Sequence, residues 1–159
     1  MFRKAQIIWS LLLQASVRYI LTTYGIKYGS LQLDDTDISR SKKTSRISRT
    51  HKLKDKRTSG FSNGQNIVFL VLVAKGITIP VGFRLYCPDP ALSDWYKNEK
   101  KLLRAKVPKA NRPKKPAPNL EYPTKKALGL APLNEFKKSF PDISIGSINA
   151  DFSMVLRFS

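Results

Sequence analysis

Asp34, Asp35 and Asp37 follow directly on an alternating run, Ser30-Leu31-Gln32-Leu33, and Asp151 stands in a similar position after Ile143, Ile145 and Ile148. Carboxylates at strand ends present hard oxygen donors from a rigid scaffold, and a divalent cation such as Mg2+ takes one or two of them together with substrate phosphates. The same acids also suit the end of a strand without any ligand, because an Asp side chain bonds nearby backbone amides in turns and caps. Other chemistries lack their parts. Cys87 is the single cysteine, which excludes an internal disulfide and a thiolate zinc site, and His51 is the single histidine, which argues against a histidine-rich metal site or a Ser-His relay.

Four elements are expected to position the acids. The run Ser30 to Thr36 predicts a short strand with Leu31 and Leu33 on one side, stopping at the aspartates. Ile67 to Ala74 is continuously apolar and β-branched, as a strand buried on both faces would be. Lys75-Gly76 predicts a tight turn into a second strand that carries Ile77, Ile79, Val81, Phe83 and Leu85 on one face, and Pro80 places that strand at a sheet edge. A helix capped by Thr124, with Leu128, Leu133, Phe136 and Phe140 among its apolar positions and Pro132 expected to kink or weaken it, leads to a last strand within Asp142 to Asp151. A strand reached through a crossover helix runs parallel to the one it joins, so Asp35 and Asp151 are expected at the same end of one sheet.

The remaining segments are basic. In a chain of 159 residues, long enough for one domain with a core, 29 Lys plus Arg oppose 11 Asp plus Glu for a formal net charge of +18, which points to a polyanionic partner and to nucleic acid first. The loop 40–59 carries Arg40, Lys42, Lys43, Arg46, Arg49, Lys52, Lys54, Lys56 and Arg57 against Asp55 alone, and reads as a mobile loop contacting phosphate backbone rather than bases. Ser93 to Arg104 predicts a short helix capped by Ser93, and residues 97–126 read as a Pro- and Lys-rich insertion, a surface linker or a second backbone contact. The first 27 residues form an amphipathic helical segment, with Ile7, Leu11, Ala15 and Tyr19 opposite Gln6, Ser10, Gln14 and Arg18. Its apolar run is too short and interrupted to span a bilayer, and no small-residue cleavage site follows it.

Leu33-Asp34-Asp35-Thr36, Gly64-Gln65-Asn66 before Ile67 to Val73, Ile79-Pro80-Val81-Gly82-Phe83-Arg84, and Ala150-Asp151 resemble the DDE transposases of bacterial insertion sequences. The resemblance implies a ribonuclease-H-like α/β fold over residues 28–159, with a mixed sheet of strand, hairpin, helix and strand. It implies Asp35 and Asp151 as catalytic metal-binding carboxylates, with Asp34 the adjacent candidate and Asp37 a weaker one. It also implies two Mg2+ or Mn2+ ions supporting in-line attack on a phosphodiester. The partners would be transposon-end and target DNA and a second copy of the enzyme, in a bacterial cytoplasm at the nucleoid, with no membrane and no small-molecule substrate. The family's third carboxylate, a glutamate on a helix beyond the position of Asp151, has no counterpart in Phe152 to Ser159, so the sequence reads as an internal or truncated piece, inactive alone. The alternatives are a non-catalytic basic DNA-binding module and a decayed remnant.

Overall fold

Leu31 and Leu33 alternate with Ser30 and Gln32, and Val68, Leu70, Leu72 and Ala74 alternate with half-buried Ile67, Phe69, Val71 and Val73. Antiparallel pairing of these two runs, with Leu31 opposite Leu72 and Leu33 opposite Leu70, collects the most apolar row of each strand on one face. A computed structural model of the chain, describing residues 8–40, 47–54 and 60–150, builds a mixed five-stranded sheet on this pair. The strands are β1 (Tyr28–Arg40), β2 (His51–Lys54), β3 (Phe61–Ala74), β4 (Ile77–Tyr86) and β5 (Ser144–Ala150). Among the described residues the helices are α1 (Trp9–Thr23), α2 (Pro90–Arg104) and α3 (Lys125–Ser139), with a 3-10 turn at Lys109–Asn111.

β1 lies between β3, antiparallel, and β5, parallel; on its far side β3 pairs with β2 over its first residues and with β4 over the rest. The parallel β5 is the geometry expected of a strand that returns through a crossover helix. Its last described pair is Ala150 with Leu33, and Asp151 lies outside the described residues. α1 and α3 cover one face of the sheet, where Val17, Leu21, Leu31, Leu70, Leu72 and Phe136 belong to one core. The turn Lys75-Gly76 takes positive φ at both residues, as a two-residue hairpin requires. The Lys75 ammonium donates to the carbonyls of Tyr24 and Gly25 and so ties the end of α1 to the hairpin.

Several expectations are corrected. β1 does not stop at the acids; its ladder with β3 continues through Asp35 opposite Val68 and Asp37 opposite Asn66 as far as Arg40 opposite Asn63. The segment 40–59 is not loop throughout, because His51 to Lys54 pair with Phe61 to Gly64. β3 is buried on one face and only half-covered on the other. β4 does not keep one apolar face: a bulge at Val81 sets Pro80 opposite Val71 and Gly82 opposite Leu70. An added residue reverses the alternation. Phe83 therefore turns to the outer face against Phe69 while Gly82 turns to the core.

Gly82 makes room for the proline of α3. Pro132 is fully buried inside that helix, which runs unbroken from Lys125 to Ser139, and a Cβ on Gly82 would stand 2.6 Å from the Pro132 Cβ. The proline sits in the notch left by the missing side chain. Thr124 caps α3 as expected, its hydroxyl accepting from the Ala127 amide at 3.2 Å. α2, by contrast, begins earlier than Ser93: Asp89 is its cap, accepting from the amides of Ala91 and Leu92, and Pro90 opens its first turn.

Candidate functional site: an acid pair inside a basic rim

Strand alternation separates the three aspartates that follow Leu33. Asp35 and Asp37 continue the row of Leu31 and Leu33 on the helix-covered face, and Asp34 projects to the opposite face, exposed, where its carboxylate accepts the Asp35 amide at 2.7 Å. The structure thus gathers Asp35 with Asp37 and leaves Asp34 apart.

Asn66, opposite Asp37 on β3, bridges the two. Its side-chain amide donates to Asp35 Oδ2 at 2.9 Å and to Asp37 Oδ1 at 2.6 Å, from a position only 3% exposed. The Asn66 Oδ1 is buried and has no hydrogen-bond partner among the described residues. On the other side of Asp35 the Lys125 ammonium, from the first residue of α3, donates to Oδ2 and lies 5.3 Å from the centre of the Tyr86 ring. This pair is largely withdrawn from solvent, at 26% exposure for the lysine side chain and 16% for the aspartate.

Beside Asp37 is a hollow of about 260 Å3 lined by Asp37, His51, Lys52, Lys54, Asn66, Tyr86 and Lys125 among others. Tyr86 reaches it because β4 pairs it with Asn66, and His51 meets the Tyr86 ring edge-on at 6.0 Å. Burial, with a smaller contribution from Cys87, pushes the Tyr86 hydroxyl above its ordinary value of 10.0. Its lining thus sets one carboxylate, Asp37, among the ammonium groups of Lys52, Lys54 and Lys125. A larger cleft, about 490 Å3, lies over β4 between α1 and α3, but its walls are mainly apolar around the Arg84–Glu135 ion pair.

The basic residues expected to meet phosphate are distributed as follows. Arg40 donates to Gln65 Oε1, Arg49 donates to the Leu85 carbonyl, and the Lys52 ammonium stands 4.4 Å from the centre of the Phe61 ring. Lys54 is exposed at the end of β2. Lys42, Lys43, Arg46, Lys56 and Arg57 lie outside the described residues, as does the candidate catalytic residue Asp151.

Asn66, Lys125 and Tyr86 had no place in the expected site. Asn66 could have been found by parity, since it occupies the row of Val68, Leu70 and Leu72, where a polar side chain must be satisfied. Lys125 is conspicuous as a cation at a helix N-terminus, where the macrodipole disfavours it unless an acid faces it. No family model matches the chain, and no curated protein or solved structure is significantly similar to it.

Proposed function

We propose that this chain carries the catalytic region of a DDE-type transposase, built on a ribonuclease-H-like sheet, and that it acts on DNA phosphodiesters through Asp35 and Asp151. The observation that carries the proposal is the position of Asp35. It lies on the central strand, between an antiparallel neighbour and the parallel β5, on the face covered by α3, sharing the Asn66 amide with a second acid and paired with Lys125. The order β4-β3-β1-β5, with only β5 parallel to β1, is what such a sheet requires.

The donor set fits a hard divalent cation in kind, since Asp35 and Asp37 offer carboxylate oxygens. Among the described residues no group of three or more His, Cys, Asp or Glu could hold a metal ion, and the proposal therefore needs Asp151, outside those residues, as a further ligand. A bound Mg2+ or Mn2+ would supply Lewis-acid stabilisation of the attacking and leaving oxygens. Asn66 holds the carboxylates in place, and Lys52, Lys54 and Lys125 attract the phosphate backbone. The test is Mn2+ binding, followed by paramagnetic line broadening and by thermal shift, in the unaltered protein and in Asp35→Asn. A cation response lost in Asp35→Asn, with DNA affinity retained, supports the proposal; no response in the unaltered protein refutes it.

A second proposal, a DNA-binding module without catalysis, is favoured by one observation. The Lys125 ammonium already neutralises Asp35, in the place a catalytic cation would take. In that case Asp35→Asn changes neither cation binding nor DNA affinity.

A further inference from the structure

The insertion between β4 and α3 is not a loose linker. α2 turns Leu92, Trp95, Glu99 and Leu102 to one side, all half-buried, and the chain folds back against it through the 3-10 turn and the prolines. Arg112 is the clasp: its Nε donates to the Val107 carbonyl and its Nη1 to Glu99 Oε1, both at 2.8 Å, with the two side chains at 17% and 19% exposure. The Trp95 indole N–H closes the far end by donating to the Pro113 carbonyl at 2.9 Å.

This folding consumes the acids and leaves the cations outside. Glu99 is spent on Arg112, Asp89 on the helix cap, and Asp94 on an exposed pair with Lys97. Residues 90–118 hold nine Lys plus Arg against two acids. Lys97, Lys100, Lys101 and Arg104 recur at i, i+3, i+4 and i+7 on the face opposite Trp95, all exposed. Seven helical residues rise roughly 10 Å, the span of about three phosphates along one DNA strand.

We infer that this face of α2 is a docking surface for the phosphate backbone of nucleic acid, separate from the acid pair and independent of sequence. Like charges at this spacing repel one another, and a polyanion laid along them removes that repulsion. A phosphodiester backbone suits it better than a membrane. A membrane-surface helix needs a free apolar stripe to insert, and here Leu92, Trp95 and Leu102 are half-buried, leaving Tyr96 and Leu103 as the large apolar side chains of α2 more than half exposed. Tyr96, beside the cations and 5.6 Å from the Lys115 ammonium, adds a ring on which an unpaired base can stack.

The inference extends the proposed DNA-processing role but does not need its metal chemistry, so it is tested in EDTA. The full chain is titrated with a fluorescent duplex of arbitrary sequence over a range of salt. Lys100→Gln, Lys101→Gln and Arg104→Gln combined should reduce the slope of log affinity against log salt by about 2.7, shrinking the affinity ratio between 50 and 200 mM salt about 40-fold. The charge-retaining set Lys100→Arg, Lys101→Arg and Arg104→Lys should keep the original slope. An unchanged slope in the glutamine variant overturns the inference, as does equal loss in the charge-retaining set. Binding to phosphatidylserine vesicles that is lost in the glutamine variant, with DNA binding unaffected, overturns it in favour of a membrane. If DNA binding behaves as expected while no Mn2+ response exists, the docking surface stands and the transposase proposal falls.

Discussion

Asn66→Asp is the most informative change in the acid cluster, because it alters one atom of a side chain that touches both carboxylates. The native amide donates two charge-assisted hydrogen bonds, and bonds of that kind stabilise by about 1.5–3 kcal/mol each where water cannot replace them. Asp37 is exposed and recovers much of its loss from water, whereas Asp35 is mostly covered and keeps only part of its support through Lys125. The new carboxylate would also place one oxygen against two like charges and the other where Asn66 Oδ1 has no partner among the described residues. A buried charge without compensation destabilises by about 3–5 kcal/mol. The expected loss at pH 7 is therefore about 3–5 kcal/mol, read as a shift in the urea midpoint at constant m.

The sign with pH follows from the crowding of three carboxylates, which raises the folded-state affinity of one of them for a proton above its unfolded value. Stability relative to the native protein returns as the pH falls toward about 4 and is lost as it rises. Mn2+ should restore part of it at pH 7, since a cation replaces the missing donors. A loss below about 1 kcal/mol, independent of both pH and Mn2+, would show that Asn66 does not hold the two acids as described.

Three further outcomes are expected. Gly82→Ala should destabilise by about 1–3 kcal/mol in chemical denaturation through collision with Pro132; Pro132→Ala should not rescue it, because the clashing Cβ remains, whereas Pro132→Gly should. Stability should decline as the pH rises past 10, because the unfolded chain releases the Tyr86 proton that the folded chain retains, and Tyr86→Phe should flatten that part of the curve. Arg112→Met should leave Glu99 without its clasp, one of its oxygens already lacking a partner among the described residues, and limited proteolysis should then cut within residues 105–118 well before the sheet is attacked.

Local chemistry made part of the fold readable. The hairpin of β3 and β4 follows from Lys75-Gly76 between two apolar runs, the start of α3 from Thr124, and the edge position of β4 from Pro80. What could not be read depends on partners remote in the chain. β1 appears to end at Asp34 because its side chains turn polar, yet its backbone continues to bond β3. β2 hides in a cationic run for the same reason, being held by ladder bonds and a single buried Leu53. The faces of β4 are reversed by a bulge that no spacing announces. At the candidate site the pairing of acids i and i+2 was implicit in the strand period, while Lys125, ninety residues from Asp35, was not. The start of α2 was legible but misread, since Asp89-Pro90 is an N-cap followed by proline in the first turn, a stronger start signal than Ser93.

The insertion leaves the sheet at Tyr86 and returns at Lys125, and those two residues meet, with the ammonium 5.3 Å from the ring. Its 38 residues, 87–124, thus begin and end at one point, and α2 makes little contact with the strands it departs from. Chain-closure entropy depends only weakly on length, so exchanging this excursion for a link of about six residues would relieve roughly 1.5 kcal/mol of closure entropy. The segment is thermodynamically a cassette mounted on a finished sheet. Its α2 portion can be enlarged or swapped without rebuilding the core, provided Thr124 stays to cap α3, and such changes leave Asp35 undisturbed.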